Sequence, residues 1–318
     1  MRSKEKLIKK IEYLNYLIKR LLSAVFVLFS ILTFVFFLIH IIPGDPVEVM
    51  LGESARIADR DALRASLGLD QPINQQWLTY MNDFFHYDLG KSIYSNEHVT
   101  HLLSKHIFAT FLLSLASLVV ALLIAVPIGI YSAVYKGSIL DKSTIFLATL
   151  GISIPNFVMG PLLILIFSLW LGWLPVSGND GLSSLVLPAL TLGSALAAIL
   201  SRMIRSSMLE TMQQDYIRSA RARGLSEFKV LVFHALRNAA LPVVTILGMQ
   251  FGTLLAGAVI TETIFSWPGI GQLMIESIQK RDYPIVQGCV IIISFTYVLV
   301  NLITDFICIL LDPRIDAN

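Results

Sequence analysis

An all-α integral membrane protein of six spans, with an extracytoplasmic insertion after the first span, is the fold class this sequence predicts. Three observations lead there. Of 318 residues, 55% are hydrophobic and 14% charged, with a mean hydropathy of +0.73, outside the range of ordinary soluble domains. Apolar runs at 21–42, 107–134, 144–171, 185–207, 241–262 and 286–311 each reach the length of about 20 residues that a helix needs to cross hydrocarbon. Lysine and arginine collect in alternate connections between those runs, which is how membrane proteins record their orientation.

Residues 1–20 carry Leu7, Ile8, Ile11, Leu14, Leu17 and Ile18 at helical spacing with lysines between them. That pattern predicts an amphipathic helix on the anionic inner leaflet, leading straight into the first span. A cleaved signal peptide, the competing reading, is not expected, because the apolar run is too long and lacks a small-residue exit. The insertion, 43–106, mixes Asp45-Pro46, Gly68-Leu69-Asp70-Gln71-Pro72 and the aromatics Trp77, Tyr80, Phe84, Phe85 and Tyr87. It is too short for a large core of its own, so helices and turns are expected.

Residues 107–311 form a five-span core. Pro188 and Gly193 interrupt its 185–207 run, which neighbouring helices can accommodate. Between the last two spans, Phe265-Ser266-Trp267-Pro268-Gly269-Ile270-Gly271 predicts a re-entrant or cap-like loop, since proline and glycine break helices and aromatics suit the interface. Glu262, Trp267, Pro268 and Gly269 would form an outer gate or simply cap the helix. The chain closes with a tail at 312–318.

With the N-terminus inside, seven Lys/Arg fall in 1–20, two in 135–143, seven in 201–240 and one in 312–318. Of the rest, five are spread over the long 43–106 segment and two are Lys280 and Arg281. Positive charge retained in short loops predicts that both termini and the loop 209–240 are cytoplasmic. The net charge of +2 is explained by this placement and implies no nucleic-acid partner. Cys289 and Cys308 lie within the last apolar run and are expected as core residues. His98, His101 and His106 make no i, i+4 pair and no thiol or carboxylate cluster joins them, so no metal site is expected.

The most informative stretch is Asp215-Tyr216-Ile217-Arg218-Ser219-Ala220-Arg221-Ala222-Arg223-Gly224-Leu225. It is a short basic helix with small spacers, ended by a glycine that can turn sharply. A second short helix is expected from Ser226 to Phe233, with Ser226 as its N-cap. Leu225 and Phe228 are apolar residues in a cytoplasmic loop that a partner would have to cover. The same segment, with His234-Ala235-Leu236-Arg237-Asn238-Ala239, Glu262 to Gly271 and Leu311-Asp312-Pro313-Arg314, resembles the peptide/nickel subgroup of bacterial ABC importer permeases. Gly151-Ile152-Ser153-Ile154-Pro155-Asn156, Leu174-Pro175 and Pro43-Gly44-Asp45-Pro46 extend the match over nearly the whole chain. Ser219-Ala220-Arg221 stands where the general importer signature has Glu-Ala-Ala, and no proline follows at 237.

The resemblance implies a six-span importer permease fold in the bacterial cytoplasmic membrane. It implies a heterodimer with a second related permease, two cytoplasmic ATPase subunits and an extracytoplasmic substrate-binding protein. Asp215, Arg218, Ala220, Ala222, Gly224, Leu225 and Phe228 would form the ATPase-coupling element. No cofactor would be bound by this chain, with ATP and Mg on the partner ATPases. The residues agree: no GxxxxGK[ST] loop occurs, and in Gly137-x4-Lys142-Ser143 an aspartate, Asp141, occupies the glycine position. HExxH and GxSxG are absent too, so an intramembrane enzyme is not expected. Nor does the chain carry the midplane charges and broken repeats of a secondary transporter. The path would be lined by Ser153, Asn156, Thr245, Gln250 and Thr253, suited to short peptides, with nickel or a metal chelate as the alternative cargo.

Overall fold

The computed structural model describes residues 2–41, 46–52 and 56–311. All regular structure among them is helical, apart from an isolated bridge between Lys91 and His98. The chain divides into two compact units. One holds residues up to Ala109 together with Gly269–Val298, and the other holds Thr110–Pro268 with the segment from Leu299.

In the first unit, α1 (Arg2–Ile41) is one continuous helix, followed by α2 (Pro46–Leu51), α3 (Ile57–Ser66) and α4 (Ile73–Phe85). Along α1 a narrow stripe, Leu32, Phe36 and Ile39, is buried, while Leu21, Leu22, Val25, Phe26 and Phe34 are exposed. Apolar side chains facing outward on a helix of this hydropathy are what a lipid solvent requires. The start of α5 (Val99–Val134) packs with α12 (Ile270–Lys280) and the start of α13 (Tyr283–Leu311) around a core of Val99, Leu103, Ile270, Ile285 and Cys289. The side chain of Cys308 lies outside the described residues, as do Pro43-Gly44-Asp45 and the tail from Asp312. The expected loop between the last two spans is largely a helix: α12 starts directly after Gly269 and contributes Ile270 to the core. A proline and glycines at 268–271 ended one helix and left the next free to begin.

The second unit is built around α8 (Leu182–Thr211), most of whose inner face is buried. Helices α6 (Ile139–Ser153), α7 (Asn156–Leu163) and α11 (Leu236–Phe265) pack against it. Pro188 sits within α8 without ending it. Close approach explains the small residues here: a Cβ on Gly193 would lie 2.8 Å from the Ser117 carbonyl oxygen and 3.1 Å from Val120 Cγ1. Small residues let backbones meet where lipid offers no hydrophobic drive for association. Gly193→Val is expected to destabilise the unit by about 1–3 kcal/mol, as overpacking does, read as an earlier midpoint in detergent unfolding.

Among the described residues, four unbroken helices are long and apolar enough to cross a membrane: Ile18–Ile41, Val99–Val134, Leu182–Thr211 and Tyr283–Ile307. The third apolar run departs from the single span expected at 144–171. It breaks into Asp141–Ser153 and Asn156–Trp170, bent by 105°. The cause is local. Ile154, preceding Pro155, is extended at φ −89°, ψ 113°, because the proline ring disfavours helical geometry before it. Residues Ile164–Trp170 then continue α7 as a π-helical segment. Where the fifth run begins, the chain bends by 52° between Glu227–Ala240 and Pro242–Gly252, at a proline that removes a helical hydrogen bond.

Candidate functional site

The basic segment folds as α9 (Asp215–Ala222), a sharp turn at Gly224, and a one-turn helix α10 (Glu227–Lys229) that runs through a π-helical segment, Val230–Ala235, into α11. This replaces the separate second helix expected at 226–233. Ser226 holds the N-cap position with extended backbone, yet its side chain makes no capping bond. Gly224 has φ +77° and its N–H donates to the Arg221 carbonyl at 2.9 Å. An added Cβ there would meet nothing within 4 Å, so the requirement is for left-handed backbone and not for space.

The bend is closed from inside. Ile217 and Ala220 on α9 are fully buried, as are Val230 and Ala235 on the π-helical segment beneath. Arg221 grips Glu227 across the turn, Nε to Oε1 at 2.8 Å and Nη2 to Oε2 at 3.3 Å. Asn238 Nδ2 donates to the Tyr216 hydroxyl at 2.8 Å. Outside, Arg218 and Arg223 are exposed and Phe228 is 69% exposed. The Arg218–Asp215 pair spans 3.6 Å between exposed side chains, a contact worth little in water. What remains at the surface of the bend is exposed arginines and an uncovered phenylalanine.

A buried ion pair lies on the same helix that delivers the chain to this bend. Asp141, at the start of α6, is 2% exposed. Arg205 on α8 donates to it through two nitrogens, Nε to Oδ1 at 2.6 Å and Nη2 to Oδ2 at 2.8 Å. The Ser132 hydroxyl near the end of α5 donates to Oδ1, and the Gly137 N–H donates to Oδ2 at 2.8 Å. Four donors on one carboxylate tie α5, the turn after it, α6 and α8 together. Charge-assisted, bidentate bonds of this kind are the strongest polar contacts a protein makes. Arg205 precedes the end of α8 at Thr211 by under two turns, and α9 starts at Asp215.

Residues 125–317 match the family described as binding-protein-dependent transport system inner membrane component, and residues 13–116 match its N-terminal counterpart. The chain belongs to this family. The glutathione transport system permease protein GsiC of Pectobacterium atrosepticum is 41% identical over 302 residues, covering 95% of this chain and 99% of that one. GsiC of Escherichia coli strain K12 is 40% identical over the same coverage. An inward-facing structure of the MetNI methionine ABC transporter matches 67% of this chain and 97% of its own, at TM-score 0.57 and 17% identity, a likeness of fold.

The permease is a multi-pass inner membrane component of an ABC importer, with no ATPase site of its own; such components work with a separate ATPase and a substrate-binding protein. Its expected coupling residues do not all share one surface. Asp215, Arg218, Ala222, Gly224 and Phe228 are exposed, Leu225 is half-buried and Ala220 is fully buried. Ala220 therefore packs the bend from within: a small side chain lets α9 sit against the π-helical segment. Arg221, with its carboxylate partner already in place, is committed to the turn. Two features escaped the sequence reading. Phe233, on the π-helical segment five residues after Phe228, is 63% exposed. Asp141 was legible only as the residue that spoils a phosphate loop.

The polar residues expected to line a path fall on separate elements. Ser153 and Asn156 flank the break between α6 and α7, with the Ser153 hydroxyl donating to the Thr149 carbonyl at 2.8 Å. Thr245 and Gln250 are half-buried on α11, and the side chain of Thr253 lies outside the described residues. At the far end of α11, Glu262 is fully buried and accepts the Thr110 hydroxyl at 2.7 Å. Its carbonyl accepts the Trp267 N–H at 2.8 Å, and Trp267 is 1% exposed. Pro268 is half-buried and Gly269 is the buried N-cap of α12. Glu262 and Trp267 are thus both buried in this conformation.

Proposed function

We propose that this permease forms half of the transmembrane path of an importer of short peptides, glutathione-like tripeptides included. The relatives at 41% and 40% identity over 95% of the chain, both glutathione permeases, carry this reading and favour it over nickel or a metal chelate. The other half of the path is a second, related permease. Both termini and the bend at Gly224 face the cytoplasm, as the lysine and arginine distribution supports.

Two cytoplasmic ATPase subunits, which hold the ATP and Mg, receive the projections of the two permeases. Asp215, Arg218, Ala222, Arg223, Leu225 and Phe228 supply the docking surface, and Ala220, Arg221 and Gly224 keep it rigid. Transmission requires that the surface stay engaged while the spans change state, since a ligand shifts an equilibrium only by its differential contacts. ATP-driven closure of the motor moves the bend, and α8 and α11, which leave it on either side, carry the movement into the membrane.

Gly224→Pro tests the reading. Proline fixes φ near −65° and lacks the N–H, so it can neither adopt +77° nor bond Arg221. In cells expressing the assembled importer, uptake of labelled glutathione is expected to fall at least tenfold while membrane abundance stays normal. Uptake at the wild-type rate in that variant would sink the proposal.

A further inference from the structure

The break in the third apolar run frees backbone groups that no coupling step uses. Helix α6 ends at Ser153 and α7 starts at Asn156, with the chain bent by 105° between them. The Ile154 N–H still donates to the Leu150 carbonyl at 3.1 Å, and the Val158 and Met159 N–H groups both donate to the Pro155 carbonyl, at 2.9 and 3.0 Å. Among the described residues, the carbonyls of Gly151, Ile152, Ser153 and Ile154 and the N–H groups of Asn156 and Phe157 have no hydrogen-bond partner. Nearby hydroxyls do not relieve them. Thr149 donates to the Ile145 carbonyl and Ser153 to the Thr149 carbonyl, each at 2.8 Å, so both bonds stay within α6.

Packing places the break at membrane depth. Gly151 lies against the middle of α8: an added Cβ would be 3.4 Å from Ala198 Cβ and 3.9 Å from the Ser194 carbonyl oxygen, and α8 is long and apolar enough to cross. Beyond the break, Gly160 meets Ile264 and Phe265, the last residues of α11, where a Cβ would come within 3.3 Å of each side chain. Both half-helices are therefore fixed against neighbours. The turn between them is not covered by this unit: Ser153 and Pro155 are exposed, and Ile154 and Asn156 half-buried.

Lipid cannot be what covers it, because hydrocarbon offers no hydrogen bonds and non-helical backbone at this depth persists only inside protein or beside water. Water fits better than a protein wall. A wall would have to match every freed carbonyl and N–H with a partner of its own, whereas water donates and accepts in any geometry. Thr149 and Ser153, both exposed and one turn apart on α6, continue the polar surface.

We propose that the turn 151–157 borders the water-filled path of the assembled importer, where its freed backbone groups bond water and, in exchange, the amide groups of a peptide in transit. The inference rests on the peptide-import reading for its cargo and adds the element of this chain that the cargo meets. Neutral backbone dipoles suit such cargo, since amide groups are common to all peptides whatever their side chains.

Thiol accessibility in the assembled importer, with Cys289 and Cys308 replaced by alanine, provides the test. Ser153→Cys is expected to react with a charged methanethiosulfonate about tenfold faster than Phe34→Cys, at an apolar site 65% exposed on α1, because the reagent needs water and attacks through the thiolate. Asn156→Cys replaces Ser153→Cys if the latter fails to assemble. Pro155→Ala returns an N–H and lifts the bar on helical geometry at Ile154, so adding it to Ser153→Cys is expected to slow labelling. Equal rates for Ser153→Cys and Phe34→Cys, in an importer that still takes up labelled glutathione, overturn the path-facing turn alone. A Ser153→Cys that resists the reagent and crosslinks to the second permease also overturns it, marking a subunit contact. Fast labelling unchanged by Pro155→Ala overturns the role given to the break. Fast labelling in an importer without glutathione uptake supports the wet turn and defeats the peptide reading, with the amide contacts that rest on it.

Discussion

Asp141→Ala should leave the Arg205 guanidinium in its partly buried site with no counter-charge and unfasten the ends of α5, α6 and α8 together. Removing one partner of a buried pair costs about 3–5 kcal/mol, because the other charge stays desolvated. The expected results are a sharp fall in membrane abundance and a lower midpoint in detergent unfolding. Arg205 is 22% exposed and Asp141 3% at the side chain, so the pair is only partly wetted and the cost should sit toward the lower end of that range. The double variant Asp141→Ala, Arg205→Met distinguishes a charge effect from a packing effect. An apolar replacement of a whole buried pair is often neutral, so the double variant should recover most of the lost stability. If Asp141→Ala alone unfolds like wild type, the clasp contributes nothing and the helices are held by packing.

Phe228→Asp addresses the opposite surface and should separate folding from coupling. The side chain is 69% exposed, so its replacement removes little packing from the permease. At the centre of a docked interface, an aromatic anchor is worth about 2 kcal/mol or more, which corresponds to roughly a thirtyfold loss of affinity. The expectation is normal abundance and normal unfolding, poor co-purification of the ATPase from mild detergent, and glutathione uptake reduced at least tenfold. Ala220→Leu offers the contrast. Ala220 is fully buried, so a larger side chain there should disturb α9 itself and lower stability. Co-purification and uptake at wild-type levels in Phe228→Asp would remove the docking surface from the account.

Much of this arrangement is legible in the sequence, and the legible parts share a cause. Hydropathy fixes where helices cross, since an unpaired backbone amide in lipid costs too much for any other structure. Gly224 acts within one or two residues, through left-handed backbone, so its bend could be placed from the sequence. The break at Pro155 and its angle of 105° were not legible, because hydropathy runs unbroken across 144–171 and the angle depends on what the two pieces pack against.

Hydropathy, charge placement and motif order along the chain specify an all-helical membrane protein, the position of its basic segment and its family. Which residues of that segment are presented and which are consumed in building it depends on the packed structure. Ala220 and Ala222 are the same residue type two positions apart, and only packing against Val230–Ala235 buries the one and exposes the other. Asp141 and Arg205 stand 64 positions apart. Burial, charge pairing and polar satisfaction are properties of neighbours in space, and a linear order of residues states them only where neighbours in space are also neighbours in the chain.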